Sequence, residues 1–150
     1  RVWPPRHVLS KVSLPMRSRL PINGTPFPID EKPGIPPAIF MGTLEGLNEA
    51  SLRKFQRRMC ADGNVFARFQ LTAPERSIEE LKEELAAVAE QYRILPTGTF
   101  AWEQAIIGES DRIFPPTNQR AAWKGISMSN IDGNEAHYDE SLFIKYLKEI

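Results

Sequence analysis

Nine of the chain's 13 prolines fall within its first 37 residues: Pro4, Pro5, Pro15, Pro21, Pro26, Pro28, Pro33, Pro36 and Pro37. Each proline removes a backbone donor and restricts the residue before it, so this stretch cannot form a helix or a central strand. The spacing predicts an extended, partly polyproline II segment. We therefore expect residues 1–40 to form a Pro-rich basic arm, and residues 41–150 to form a small, mostly helical domain. The fold class expected is mainly α, with one short strand pairing at most. The arm's apolar residues, from Val2, Trp3, Val8 and Leu9 to Phe27 and Ile29, suit shallow pockets along a partner or along the chain's own body.

Charge sharpens that picture. The whole chain is formally neutral. Residues 1–29, however, carry Arg1, Arg6, Lys11, Arg17 and Arg19 with no acid. A neutral whole argues against a protein that mainly coats nucleic acid, whereas the basic start predicts contact with something acidic. One cysteine, Cys60, rules out a disulfide framework within the chain and favours a reducing compartment. No stretch approaches the roughly 18 apolar residues of a membrane span, so any membrane contact is expected to be peripheral. The chain opens on Arg rather than Met, and its Arg- and Ser-containing, acid-free start has the bias of an organelle transit sequence or of the region after one.

The body has its clearest helix at Ser77–Arg93. Ile78, Leu81, Leu85, Val88, Ala89 and Tyr92 form one apolar stripe. Ser77 and Glu80 fit a capping box. The opposite face is acidic, with Glu79, Glu80, Glu83 and Glu84. A helix is also predicted after Asn48 as N-cap, with Leu52, Phe55 and Met59 inward and Gly63 as its stop. Its outer face carries Arg53, Lys54, Arg57 and Arg58, which could meet RNA phosphates, anionic lipid, acidic protein or the acidic helix of the same chain. Residues 64–72 alternate apolar and polar, which predicts a strand, with continued helix as the alternative. Thr99 is expected to cap a short helix over Phe100–Ile107, ended by Gly108, with Trp102, Ile106 and Ile107 buried. A second short helix is expected over Thr117–Lys124, with Trp123 inward and Gly125 at its end. Residues 126–138 read as polar turns around Asp132-Gly133-Asn134. Asp139 or Ser141 opens a last helix through Ile150, with Leu142, Phe143, Tyr146, Leu147 and Ile150 on its apolar face.

Recognisable chemistry is sparse. His7 and His137 are the two histidines. A catalytic histidine needs an orienting acid and usually a nucleophile, and no paired motif marks either one. Cys60, with Arg57 and Arg58 beside it, could have a lowered pKa, but a small buried residue is the simpler reading. His137, Asp139 and Glu140 are too few for a metal site. Asp132, Asn134 and Ala136 resemble the start of a calcium loop, yet Phe143 stands where a bidentate Glu belongs. Neither a Walker loop nor GxGxxG occurs. No catalytic residue, metal or cofactor is therefore expected.

The sequence reads best as a non-catalytic accessory subunit of a large assembly. The expected assembly is a mitochondrial energy-converting complex, respiratory chain or ATP synthase, on the matrix side or peripheral to the inner membrane. Partner contacts would fall on Trp3, Arg6, Arg17, Arg19, Arg53, Lys54, Arg57 and Arg58. The alternatives are a protein- and RNA-contacting subunit of a mitochondrial ribosome, and a small enzyme without a recognisable motif.

Overall fold

The computed structural model describes residues 19–94, 101–131 and 135–148 of the 150-residue chain. Residues 19–23 run parallel to a later strand rather than standing away from the body. Ile22 bridges to Ile106, the Asn23 amide donates to the Ile106 carbonyl at 3.0 Å, and the Ile106 amide donates to the Pro21 carbonyl at 2.9 Å. At their outer end Arg19 forms an ion pair with Glu103, 2.6 Å from Nη2 to Oε1. Pro21 and the residues from Asn23 to Pro26 are all buried. The long extended arm expected over residues 1–40 is thus corrected for this part, which lies along the chain's own body. Pro37 opens a helix, but the segment before it, residues 19–36, holds none, as the prolines dictate, and runs through bridges, bends and turns rather than as one extended stretch. Its unpaired backbone groups are satisfied by the body, not by a partner.

Four helices follow: α1 (Pro37–Glu45), α2 (Glu49–Met59), α3 (Gly63–Thr72) and α4 (Ile78–Ile94). Pro37 opens α1 at its first position, where the missing N–H costs nothing. Asn48 caps α2: its side chain accepts from the Ser51 amide, and the Ser51 hydroxyl accepts from the Asn48 amide. Asp62 caps α3 by accepting from Asn64 and Val65. The strand expected over 64–72 is therefore a helix, and Gly63 begins α3 instead of ending α2. Ser77 and Glu80 cap α4 reciprocally, as their spacing predicts. None of the residues of α2, α3 or α4 is fully buried. The helices form a lobe beside the core, with α1 packed on α4 and α2 on α3.

The chain then returns as β1 (Gln104–Gly108), α5 (Pro116–Ala122), β2 (Ser127–Ile131) and α6 (Glu140–Lys148). β1 and β2 are parallel, in register from Gln104 with Ser127 to Gly108 with Ile131. Parallel neighbours require a crossover, and α5 lies on it. β1 has β2 on one side and residues 19–23 on the other, which buries Ala105 to Gly108 completely. The short helix expected at 100–107 is corrected to this central strand, although its inward residues Ile106 and Ile107 are indeed buried.

Ala105, Ile107 and Trp123 form the core cluster, with Trp102, Ala122 and Ile126 packed against it. Trp123 lies at the end of α5, and its indole N–H donates to the Gly24 carbonyl at 2.9 Å. Trp102 meets it edge-on, with ring centroids 5.9 Å apart. Removing ~200 Å² of indole from water contributes on the order of 5 kcal/mol before ordering costs. The Asp132-Gly133-Asn134 turn, Thr99 and Ile150 lie outside the described residues.

Candidate active site

The C-terminal end of β1 is where the buried polar groups gather. Asp111 follows Gly108 in a tight turn, its amide donating to the Gly108 carbonyl at 3.2 Å. Its carboxylate is wholly buried and faces donors on every side. Oδ1 accepts from the Ile113 amide at 2.7 Å and the Phe114 amide at 3.0 Å. Oδ2 accepts from Gln119 Nε2 at 2.9 Å and lies 3.0 Å from His137 Nδ1. Oδ2 is a carboxylate oxygen, so the contact assigns Nδ1 of His137 as its donor. Nε2 then points its lone pair away from Asp111. The Asp111 side chain is fully buried, whereas the His137 side chain keeps 24% of its surface. Phe114 stacks on the imidazole with centroids 6.2 Å apart.

The segment carrying His137 is held from both sides. Asn23 adopts φ +50°, a left-handed conformation that Asn tolerates. Its side-chain N–H donates to the Ala136 carbonyl at 2.9 Å and reaches the His137 carbonyl at 3.3 Å. Its Oδ1 accepts from the Gly108 amide at 2.8 Å. Asn23 therefore ties the end of β1 to the histidine segment. Gly108 is required by close approach: a Cβ there would lie 2.7 Å from the Glu135 carbonyl oxygen. On the other side, Tyr138 bridges to Cys60, and its amide donates to the Met59 carbonyl at 2.9 Å. The Tyr138 ring also meets Phe69 edge-on at 5.0 Å. The residue next to the histidine is thus the joint with the helical lobe. A cleft of about 240 Å³ opens there, lined by Cys60, Ala61, Asp62, Ser110 and Arg112.

A partly exposed imidazole held by a buried carboxylate is the arrangement that a general acid–base pair uses in nucleophilic catalysis. The sequence reading had set His137 beside Asp139 and Glu140. In the structure Asp139 caps α6 instead, accepting from the Leu142 amide. Among the described residues no three of His, Cys, Asp or Glu gather as metal ligands. Cys60 is buried, and burial pushes its thiol up, against the pull of Arg57. That is the opposite of an activated thiolate.

Trp3, Arg6, Arg17 and His7 lie outside the described residues. Arg19 pairs with Glu103, away from the imidazole. Arg53, Lys54, Arg57 and Arg58 are exposed on α2. Their contacts stay local: Arg53 to Gln70 and the Phe66 ring, Arg57 to the Cys60 carbonyl, Arg58 over the Phe55 ring. The ion pairs of the acidic helix among the described residues come from Arg76 to Glu84 and from Arg93 to Glu90, and not from this face. Sequence reasoning missed Asp111, Gln119 and Asn23. The available signal was an acid in a turn directly after the apolar run Ala105–Gly108.

Comparison with known proteins gives the chain a family. The family described as "Pimeloyl-ACP methyl esterase BioG" matches residues 1–147. A Bacteroides fragilis protein named malonyl-[acyl-carrier protein] O-methyltransferase is 55% identical over 150 residues, covering 99% of this chain and 29% of that protein. A Haemophilus influenzae protein is 38% identical over 147 residues, covering 95% of this chain and 65% of that protein. The crystal structure of BioG from Haemophilus influenzae has a TM-score of 0.82 at 37% identity, covering 94% of this chain and 64% of that one. The chain therefore spans between about a third and two thirds of the length of these relatives.

These matches overturn the reading of a non-catalytic subunit of a respiratory, ATP synthase or ribosomal assembly, since the family is named for an esterase. The mitochondrial location falls as well, because both relatives come from bacteria, which have no mitochondria. The acid-free start that suggested a transit sequence is shared by any chain whose acids happen to begin at Asp30. With residues 1–147 matched and the fold shared with a solved BioG structure, the chain belongs to the family described as Pimeloyl-ACP methyl esterase BioG.

Proposed function

We propose that this chain supplies the acid–base machinery of a carboxylic ester hydrolase. Its substrate would be the methyl ester of a dicarboxylic acyl chain carried on acyl carrier protein. The observation that carries the reading is the His137–Asp111 contact at 3.0 Å, with the carboxylate held by three further donors. In the reaction, His137 Nε2 takes the proton of a nucleophilic hydroxyl as it attacks the ester carbonyl. The imidazolium then returns that proton to the departing methoxide, which leaves as methanol. Water, deprotonated by the same nitrogen, then attacks the acyl–enzyme carbonyl; the bond to the nucleophile's oxygen breaks, Nε2 returns the proton to that oxygen, and the acyl group leaves as an acid that ionises in water. Asp111 keeps the imidazole aligned throughout. An acid after one parallel strand and a histidine after the next match the chain order of α/β-hydrolases, in which the nucleophile comes first. We assign that nucleophile to residues outside the described segments. The methyltransferase name belongs to a protein of which this chain covers 29%, and we assign that activity to the rest of it.

The basic face of α2 fits the second half of the substrate. Lys54 and Arg58 border a groove of about 480 Å³ between α1 and α2, floored by Ile39, Leu47 and Phe55. Arg53 and Arg57 extend the positive field along the same helix. We propose this face as the contact for an acidic carrier protein, with long-range attraction acting mainly on encounter. The test compares methanol release by the intact protein from the carrier-bound methyl ester and from the free methyl ester. The account expects preference for the carrier-bound form, lost in Lys54→Glu/Arg58→Glu through a rise in KM at unchanged kcat. Equal use of both substrates by the unaltered protein would remove the carrier reading, and no hydrolysis of either would remove the esterase reading.

A further inference from the structure

The buried amide of Gln119 has no role in the steps above, yet it touches the acid that aligns the histidine. We infer that Gln119 is a positioning residue, which sets the direction in which Asp111 presents Oδ2 to His137. Gln119 lies in α5, is completely buried, and sends Nε2 to two acceptors: Asp111 Oδ2 at 2.9 Å and the Phe114 carbonyl at 2.7 Å. Both neighbours accept, so the amide has one workable orientation. Its Oε1 is left buried with no hydrogen-bond partner among the described residues. An amide that served packing alone would not be held with one end unsatisfied, because a leucine or methionine fills the same space without that loss.

Geometry explains the need. The amides of Ile113 and Phe114 hold Oδ1 but leave the carboxylate free to pivot about that oxygen. Gln119 restrains Oδ2, the atom His137 uses. Phe114 ties the two devices together, since its amide holds Oδ1, its carbonyl holds Gln119 and its ring stacks on the imidazole. The three residues form one bracket around the Asp111–His137 contact.

This inference rests on the esterase reading for its kinetic test, and a second arm is independent of it. In the intact protein, Gln119→Met should lower kcat about 10- to 100-fold at unchanged KM, measured well below the unfolding temperature. The proton NMR signal of His137 Nδ1–H should be visible and slow to exchange in the unaltered protein, and should broaden or vanish in the variant. A purely structural role would lower the melting temperature and leave both readouts of the folded protein in place. The second arm uses the unaltered protein: the two side-chain amide protons of Gln119 should exchange with deuterium far more slowly than those of the exposed Gln91. A folded Gln119→Met protein with kcat within twofold of the original, or Gln119 amide protons exchanging as fast as those of Gln91, would overturn the inference. Loss of ester hydrolysis from the unaltered protein would instead count against the esterase reading.

Discussion

Replacing Gly108 by Ala places one methyl group where the site has no room for it. The added Cβ would lie 2.7 Å from the Glu135 carbonyl oxygen and 2.9 Å from Asn23 Oδ1. Ordinary contact begins near 3.4 Å, so the Glu135 carbonyl must retreat by about 0.7 Å. That carbonyl is backbone, two residues before His137, and it also accepts from the Ser110 amide at 3.0 Å. Retreat stretches that bond and the bond from Asn23 to the Ala136 carbonyl, now 2.9 Å. It also draws His137 Nδ1 off Asp111 Oδ2. Overpacking of this kind costs about 1–3 kcal/mol of stability. A shift approaching 1 Å at a catalytic group costs on the order of 100-fold in rate. Urea unfolding of the intact protein would read the first effect, and methanol release under native conditions the second. Gly42→Ala is the control: a Cβ there meets nothing within 4 Å, and the site is exposed in α1. It should stabilise by about 0.4–1 kcal/mol, by the usual gain of Gly to Ala in a helix. A Gly108→Ala protein as stable and as active as the original would refute the close-packing argument.

Other expectations follow from the same contacts. Asn23→Ala leaves the Gly108 amide and the Ala136 carbonyl without their buried partner, so it should cost about 1–3 kcal/mol and reduce turnover, measured by unfolding and by ester hydrolysis. Asn48→Ala should remove about 0.5–2 kcal/mol through loss of the α2 cap while leaving kcat intact, since the cap is remote from His137. Trp123→Ala should cost about 3–5 kcal/mol, read by thermal unfolding, because the indole is buried and bonded to Gly24. Acid should loosen the helical lobe. The Val65 and Asn64 amides hold the Asp62 carboxyl below its ordinary 3.8, and the Ser77 amide and hydroxyl hold Glu80 below its ordinary 4.5. Both pKa values are depressed on folding, so these caps contribute fully above the ordinary values and are lost as pH falls through the lower folded ones. Helical circular dichroism should fall over that acid range in the original protein and less steeply in Asp62→Asn/Glu80→Gln.

Local signals were legible in the sequence, and long-range pairings were not. Asn48 before α2 and the Ser77/Glu80 pair before α4 mark helix starts through bonds within three residues, which the chain displays directly. Residues 64–72 misled because Val65, Ala67, Phe69 and Leu71 alternate. Yet Leu71 is 86% exposed, and Val65, Phe66 and Phe69 fall on one helical face after the Asp62 cap. Ala105-Ile106-Ile107 is a continuous apolar run, and periodicity cannot tell a buried strand from a buried helix in so short a stretch. Its strand character comes from the partners on either side, Ile22 and β2, which lie far off in sequence. The site failed to show for the same reason. Asp111 and His137 are 26 residues apart, and nothing in either neighbourhood announces that β1 and β2 carry them to one end of the sheet. Asp139 and Glu140, two and three residues after His137, point to the wrong acid. The basic face of α2 was visible, but charge alone does not say what it meets.

Methanol release from a carrier-bound dicarboxylic methyl ester, compared between the intact original protein and its His137→Ala variant, tests the central claim most directly. Removing the general base of such a site costs at least about 1000-fold in kcat. The account predicts steady turnover by the original and a loss of that size in the variant, with its fold and melting temperature preserved. Turnover by the His137→Ala protein within tenfold of the original would contradict it.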